Sequence, residues 1–228
     1  MWIRIVDYVL AASGLVGHLA LLMLLVRRHL LSRLPTFAIL IAFYLLRSAL
    51  LLVPHFTREW PASYWLLLYL DPGLQLLVIM AIGLVASRIP KSKFGPTGVA
   101  VAVLFFVVVS ALVAWGIGSS SHYSAQNLSV KLSMFVSALW LQVAAGLVIL
   151  LRKSDSETKR LSLGIALGFA AYSAANILTE IVHVHFVLLR QPALYTGLSY
   201  FRVMVYLCCL VGWSVLIFRD RPRRYTMP

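Results

Sequence analysis

The stretch "YWLLLYLDPGLQLLVIM", residues 64–80, decides how the whole chain is read. It is an apolar run broken at its centre by Asp71-Pro72-Gly73, a tripeptide that marks a turn in a soluble protein. Read as a turn, it leaves two pieces too short for a membrane, whose hydrocarbon core asks for about 20 helical residues. Read as helix, it puts an acid and a helix breaker inside a span.

Composition favours the helix. Of 228 residues, 61% are hydrophobic and only 12% charged, with a mean hydropathy of +0.92. Soluble domains hold about half apolar and a quarter charged residues. Long apolar runs recur along the chain and mark spans at roughly 5–26, 36–54, 64–86, 97–117, 130–151, 161–183 and 198–218. The expected fold is all-α: a polytopic membrane protein, one seven-transmembrane-helix bundle over residues 1–228.

Charge decides between the two readings of residues 64–80. The links after spans 1, 3 and 5 and the C-terminal tail hold fourteen Lys and Arg, among them Arg27, Arg88, Arg152 and Arg219. The opposite links and the N-terminus hold four: Arg4, Arg58, Lys131 and Arg190. Basic residues collect on the cytoplasmic side, so the N-terminus is expected outside and the C-terminus in the cytoplasm. The alternation requires an odd number of spans and keeps span 3 whole. It also accounts for the net charge of +13 without a nucleic-acid partner, for which no soluble stretch is long enough. The first run continues past residue 20 with no cleavage site and reads as a retained helix. The adjacent Cys208 and Cys209 suggest neither a disulfide framework nor a metal site.

Two arginines, Arg47 and Arg202, stand inside spans, as do Asp71 and Glu180. An ionisable group at membrane depth is costly and faces a partner or a polar cavity. Arg47 and Asp71 each lie seven residues from the outer end of their spans, roughly 10 Å deep. Glu180 and Arg202 match each other at roughly 5–6 Å. Polar neighbours extend both pairs at helical spacing. Tyr44 precedes Arg47, Tyr64 and Gln75 flank Asp71, Tyr206 follows Arg202, and Ser173, Asn176, Glu180 and His183 form a stripe. The inner halves are plainer, apart from His18 and Gln142. Two readings remain open: a ligand-binding cavity lined by spans 2, 3, 6 and 7, or ion pairs that only orient helices. Pro72 removes a backbone hydrogen bond and is expected to kink span 3, tipping Asp71 toward Arg47.

Other functions are weaker. A retinal protein needs a lysine in its last span, and "LSYFRVMVYLCCLVGWSVLIF" has none. A metal site could draw on Glu180 and His183, with His55, His122 and His185 near the same end, but these also read as interfacial histidines. No cofactor is expected, and no cyclase, kinase or DNA-binding output is present, so enzyme activity is not expected. A transporter is the alternative, with spans 1–3 and 5–7 as faint parallel repeats around span 4. The arginine-rich tail "RDRPRRYTMP" suits anionic lipid or a docking partner.

The segments "LVRRHLLSRLPTF", "FYLLRSALLL" and "SYWLLLYLD" followed by "LQLLVI" resemble a group of small seven-helix bacterial membrane proteins of unassigned activity. More loosely, the layout is similar to the seven-helix sensory input domains of some bacterial histidine kinases. The resemblance implies a bacterial inner membrane and, by analogy, a sensory role; the expected function is a ligand-sensing or signal-relaying module that works with a separate cytoplasmic partner.

Overall fold

The computed structural model describes residues 2–57, 62–87, 96–118, 124–151, 157–188 and 192–219. They form seven helices: α1 (Trp2–Arg27), α2 (Pro35–Thr57), α3 (Ala62–Ser87), α4 (Pro96–Gly118), α5 (Ser124–Leu151), α6 (Glu157–Leu188) and α7 (Pro192–Arg219). There is no strand among the described residues. Each helix overlaps one apolar run and extends beyond it, most at the start of α5 and α7 and at both ends of α6. Hydropathy marks only the apolar portion, whereas backbone hydrogen bonding continues wherever no breaker intervenes. Segments Val6–Arg27, Val130–Ile149, Arg160–Val182 and Thr196–Arg219 are long and apolar enough to cross a membrane. Shorter apolar stretches are described in α2, α3 and α4.

The helix boundaries have local causes. Helices α2, α4 and α7 each begin on proline, whose fixed φ suits the first helical turn and whose missing N–H is not needed there. Helix α1 ends in a Schellman turn. His29 adopts φ 53°, its N–H donates to the Val26 carbonyl, and the Leu30 N–H donates to the Leu25 carbonyl. The hydrophobic contact that accompanies this turn is formed by Leu25 and Leu30, both buried in the same core cluster. Arg28 then reaches across to donate to the Phe218 carbonyl at 2.9 Å and lies over the Phe218 ring. The turn after α1 is thereby fastened to the end of α7.

Helices α1, α2, α3, α5, α6 and α7 pack in a closed ring in that order, with α7 returning to α1. Helix α4 stands outside the ring against α5, with a brief contact to α6. Its buried residues include Ser110 and Ala114, while Leu104, Leu112 and Trp115 are exposed. Chain order therefore departs from spatial order at one point: α3 neighbours α5. Helix α3 runs as one element through Pro72, so the central tripeptide of residues 64–80 is helix, not turn.

Candidate functional site

The end of the ring at which α1 and α7 begin is called upper here, and the end at which they finish is called lower. The four charged residues inside the bundle meet in the upper half as two ion pairs. Arg47 on α2 pairs with Asp71 on α3, and Arg202 on α7 pairs with Glu180 on α6 at 3.2 Å.

The first pair is held from several directions. Asp71 Oδ2 takes the Arg47 contact, while Oδ1 accepts from the Tyr44 hydroxyl at 2.8 Å and from Gln75 Nε2 at 2.8 Å. Gln75 in turn accepts from the Trp140 indole N–H of α5 at 3.0 Å. Three donors satisfy the carboxylate, which is what an acid at this depth requires. Spacing explains the set: Tyr44 and Arg47 are one turn apart on α2, and Asp71 and Gln75 one turn apart on α3.

The second pair is looser. Arg202 uses one terminal nitrogen, Nη1, for both Glu180 and the Asn176 side-chain oxygen, the latter at 3.0 Å. Asn176 is buried and donates from Nδ2 to Ser133 and Ser137 of α5, both at 3.0 Å. Ser133, Ser137 and Trp140 fall at offsets of four and three, so one face of α5 serves both pairs. The sequence reading assigned the site to α2, α3, α6 and α7; α5 belongs to it equally. Its serines and tryptophan carry no charge and read as ordinary members of an apolar run.

Between and below the pairs lies an aromatic layer. Tyr172 on α6 is within electrostatic range of Arg47, Asp71, Glu180 and Arg202, so the two pairs flank one ring. Tyr172 packs edge-on against Tyr206 at 5.2 Å, and Tyr206 against Tyr44 at 6.0 Å. Tyr206 does not join Arg202, as its sequence spacing suggests. Its hydroxyl meets His18 Nε2 of α1 at 2.7 Å, and His18 Nδ1 meets the Ser48 hydroxyl of α2 at 3.3 Å. His18 is buried and ties α1 to both α2 and α7. Nearer the upper end, the Tyr200 hydroxyl donates to Asp7 of α1 at 3.0 Å.

Below this layer the ring is filled. Phe37, Trp140, Phe169 and Trp213 are each 2% exposed or less. Trp140 stacks on Phe169 at 4.3 Å, Trp213 tilts against Phe169 at 4.6 Å, and Phe37 meets Trp213 edge-on at 5.5 Å. Such pairs contribute about 0.5–1.5 kcal/mol each beyond the area they bury. Trp140 belongs to both layers, donating to Gln75 above and stacking on Phe169 below.

The metal alternative, Glu180 with His183, brings only Glu180 into view; the side chains of His183, His55, His122 and His185 lie outside the described residues, as does that of Tyr64. Among the described residues no three metal-ligating side chains gather. Comparison with family models, with curated proteins and with solved structures gives no match.

Proposed function

We propose that this chain is a seven-span protein of a bacterial inner membrane, N-terminus outside and C-terminus in the cytoplasm. In this reading it senses a small polar ligand from the outer side and relays the state of its bundle to a separate cytoplasmic partner. The basic bias of the lower-end links supports the orientation, and the upper half is then the outer half. Arg47, Asp71, Gln75, Asn176, Glu180 and Arg202, with Tyr44 and Tyr206, form the ligand region.

One observation carries the proposal. Two ion pairs keep 17% to 30% of their side-chain surface accessible above a lower half filled by buried aromatic rings. A buried ion pair stabilises a fold no better than well-packed apolar residues of similar size, so charges retained at this depth suit exchange with a ligand. The filled lower half suits sensing more than transport, because transport requires polar groups that continue to the other side. Trp140 offers the relay, since a change at Asp71 and Gln75 is felt by the aromatic cluster through its indole.

The test uses the purified chain in lipid nanodiscs, with thermal unfolding followed against a library of small polar metabolites. At least one compound should raise the midpoint of the wild type and leave that of R47L/D71L unmoved. A library that moves both proteins equally, or neither, overturns the ligand reading. Uptake of an active compound into vesicles containing the pure protein would instead establish the transporter.

A further inference from the structure

Helices α1 and α7 finish together at the lower end. Gly17 lies against Leu210 and Arg28 against Phe218, so the two helices run in parallel. The membrane-length segment of each ends on an arginine, Arg27 in α1 and Arg219 in α7. Arg28 clasps these ends: it donates to the Phe218 carbonyl at 2.9 Å, and its guanidinium sits 5.1 Å from the centre of the Phe218 ring. Arg27 and Arg219, the next residue on each side of the clasp, are thereby brought into one neighbourhood. Both are exposed, and neither joins an ion pair among the described residues.

Nothing described nearby balances them. The acids whose side chains are described, Asp7, Asp71 and Glu180, all lie in the upper half. Asp220 follows Arg219 in the chain, but residues 219–224 hold four arginines against it. The carbonyls at the ends of α1 and α7 favour positive charge, and Arg28 already serves the end of α7. Above the arginines the surface turns apolar. Met23 and Val16 share a helix face with Arg27, and Val215 and Val211 share one with Phe218. All five of these apolar side chains are exposed. Two apolar rows capped by guanidinium groups match the chemistry of a phospholipid. The chains lie along the rows, and the phosphate takes the planar, multi-donor guanidinium heads.

We propose that the lower ends of α1 and α7 form a site for an anionic phospholipid, with Arg27 and Arg219 on its phosphate and its chains along the two exposed rows. Arg28 is a positioning residue that holds the two arginines together through Phe218. The site requires that the bundle lie in a bilayer, but it depends neither on a ligand in the upper half nor on which way the chain faces. Anionic headgroups are favoured over choline headgroups, whose ammonium would meet the arginines. A lipid bound here joins from below the same two helices that Tyr200 and Tyr206 join to α1 from above.

The experiment uses the full chain in non-ionic detergent, in moderate salt that screens the diffuse attraction of a basic protein. Short-chain phosphatidylglycerol is added and the unfolding midpoint is followed. The midpoint should rise and saturate. Phosphatidylcholine of the same chain length should act more weakly, and glycerol 3-phosphate, a headgroup without chains, should not act at the same concentrations. R27Q and R219Q should each weaken the phosphatidylglycerol effect roughly tenfold, the loss of one charge-assisted contact. R160Q, at an exposed position at the lower end of α6, and R223Q/R224Q in the tail should leave it unchanged. The headgroup comparison on the wild type stands even if a variant does not fold. A midpoint that phosphatidylglycerol does not move, or that phosphatidylcholine moves as well, overturns the proposal. So does an equal effect of glycerol 3-phosphate, which would make this a site for a free anion. R160Q or the tail variant weakening the effect as much as R27Q would also overturn it, since attraction would then be spread over the whole basic end.

Discussion

In the lower half, α7 meets its neighbours across surfaces with no spare volume. A methyl group on Gly17 of α1 would touch Leu210 at 3.0 Å, and one on Gly164 or Gly168 of α6 would run into Leu216 or Trp213. In the upper half the same helix meets the same two neighbours through hydrogen bonds: Arg202 to α6, and Tyr200 and Tyr206 to α1. Close packing has one solution and resists exchange. Hydrogen bonds can be traded for others at little net cost, provided no buried group is left without a partner. Helix α7 is therefore clamped below and latched above, and the upper latches are where a bound molecule can compete. The tightness of the clamp shows in the Trp213 indole N–H, which lies against Gly168 and finds no acceptor among the described residues.

The comparison breaks first at the charged pair, where the largest effect is expected. Asp71→Leu removes the carboxylate that Arg47 meets inside the bundle and should destabilise the protein by about 3 kcal/mol, the low end for a half-buried pair. R47L/D71L should recover part of that loss, since the Tyr44 hydroxyl and Gln75 Nε2 both lose the Asp71 acceptor, at about 1 kcal/mol each. Reversible unfolding in mixed micelles measures both. A double variant as unstable as the sum of its singles would mean that the charges are held independently, and the pairing of α2 with α3 through Arg47 and Asp71 would fail.

Glycine positions test the lower half. Gly168→Ala places a Cβ against three atoms of the Trp213 ring, and Trp213 has little freedom to yield between Phe37 and Phe169. Overpacking of this kind costs about 1–3 kcal/mol, outweighing the helix propensity gained by removing a glycine. The same unfolding measurement, paired with quenching of tryptophan fluorescence, would show Trp213 displaced. An unchanged or raised stability would mean that α6 and α7 are not in close contact there.

Much of the upper half could be read from the sequence, because position along a helix is a one-dimensional quantity. Counting residues from the span ends puts Arg47 level with Asp71 and Glu180 level with Arg202, and the structure pairs those residues. Ring closure is not one-dimensional, and what depends on it was not legible. Nothing local to α4 says that it stands outside the ring and leaves α3 against α5. For that reason the hydrogen bonds from Trp140 to Gln75, and from Asn176 to Ser133 and Ser137, could not be foreseen. Tyr206 shows the same limit: four residues from Arg202 it shares a helical face, yet its hydroxyl turns to His18 on a helix nearly two hundred positions away in the chain. The notch at Gly164 and Gly168 was also missed, because a glycine in an apolar run gives no sign of whether a ring or open space lies beside it.

Gly73 supplies the smallest effect and the opposite sign. It completes the Asp-Pro-Gly tripeptide, yet nothing lies within 4 Å of where its Cβ would stand, and the residue is exposed inside a continuous α3. Neither a tight approach nor a positive φ demands glycine there; the glycines have no positive φ among the described residues. Alanine should therefore stabilise α3 by about 0.5–1 kcal/mol through helix propensity and the reduced freedom of the unfolded chain. Set beside Gly168→Ala, the two identical chemical changes should move the unfolding free energy in opposite directions. Should Gly73→Ala destabilise instead, α3 must open at the proline in some populated state that needs a flexible residue after it. Helix α3 would then be the moving part of the upper half, and α7 the fixed one.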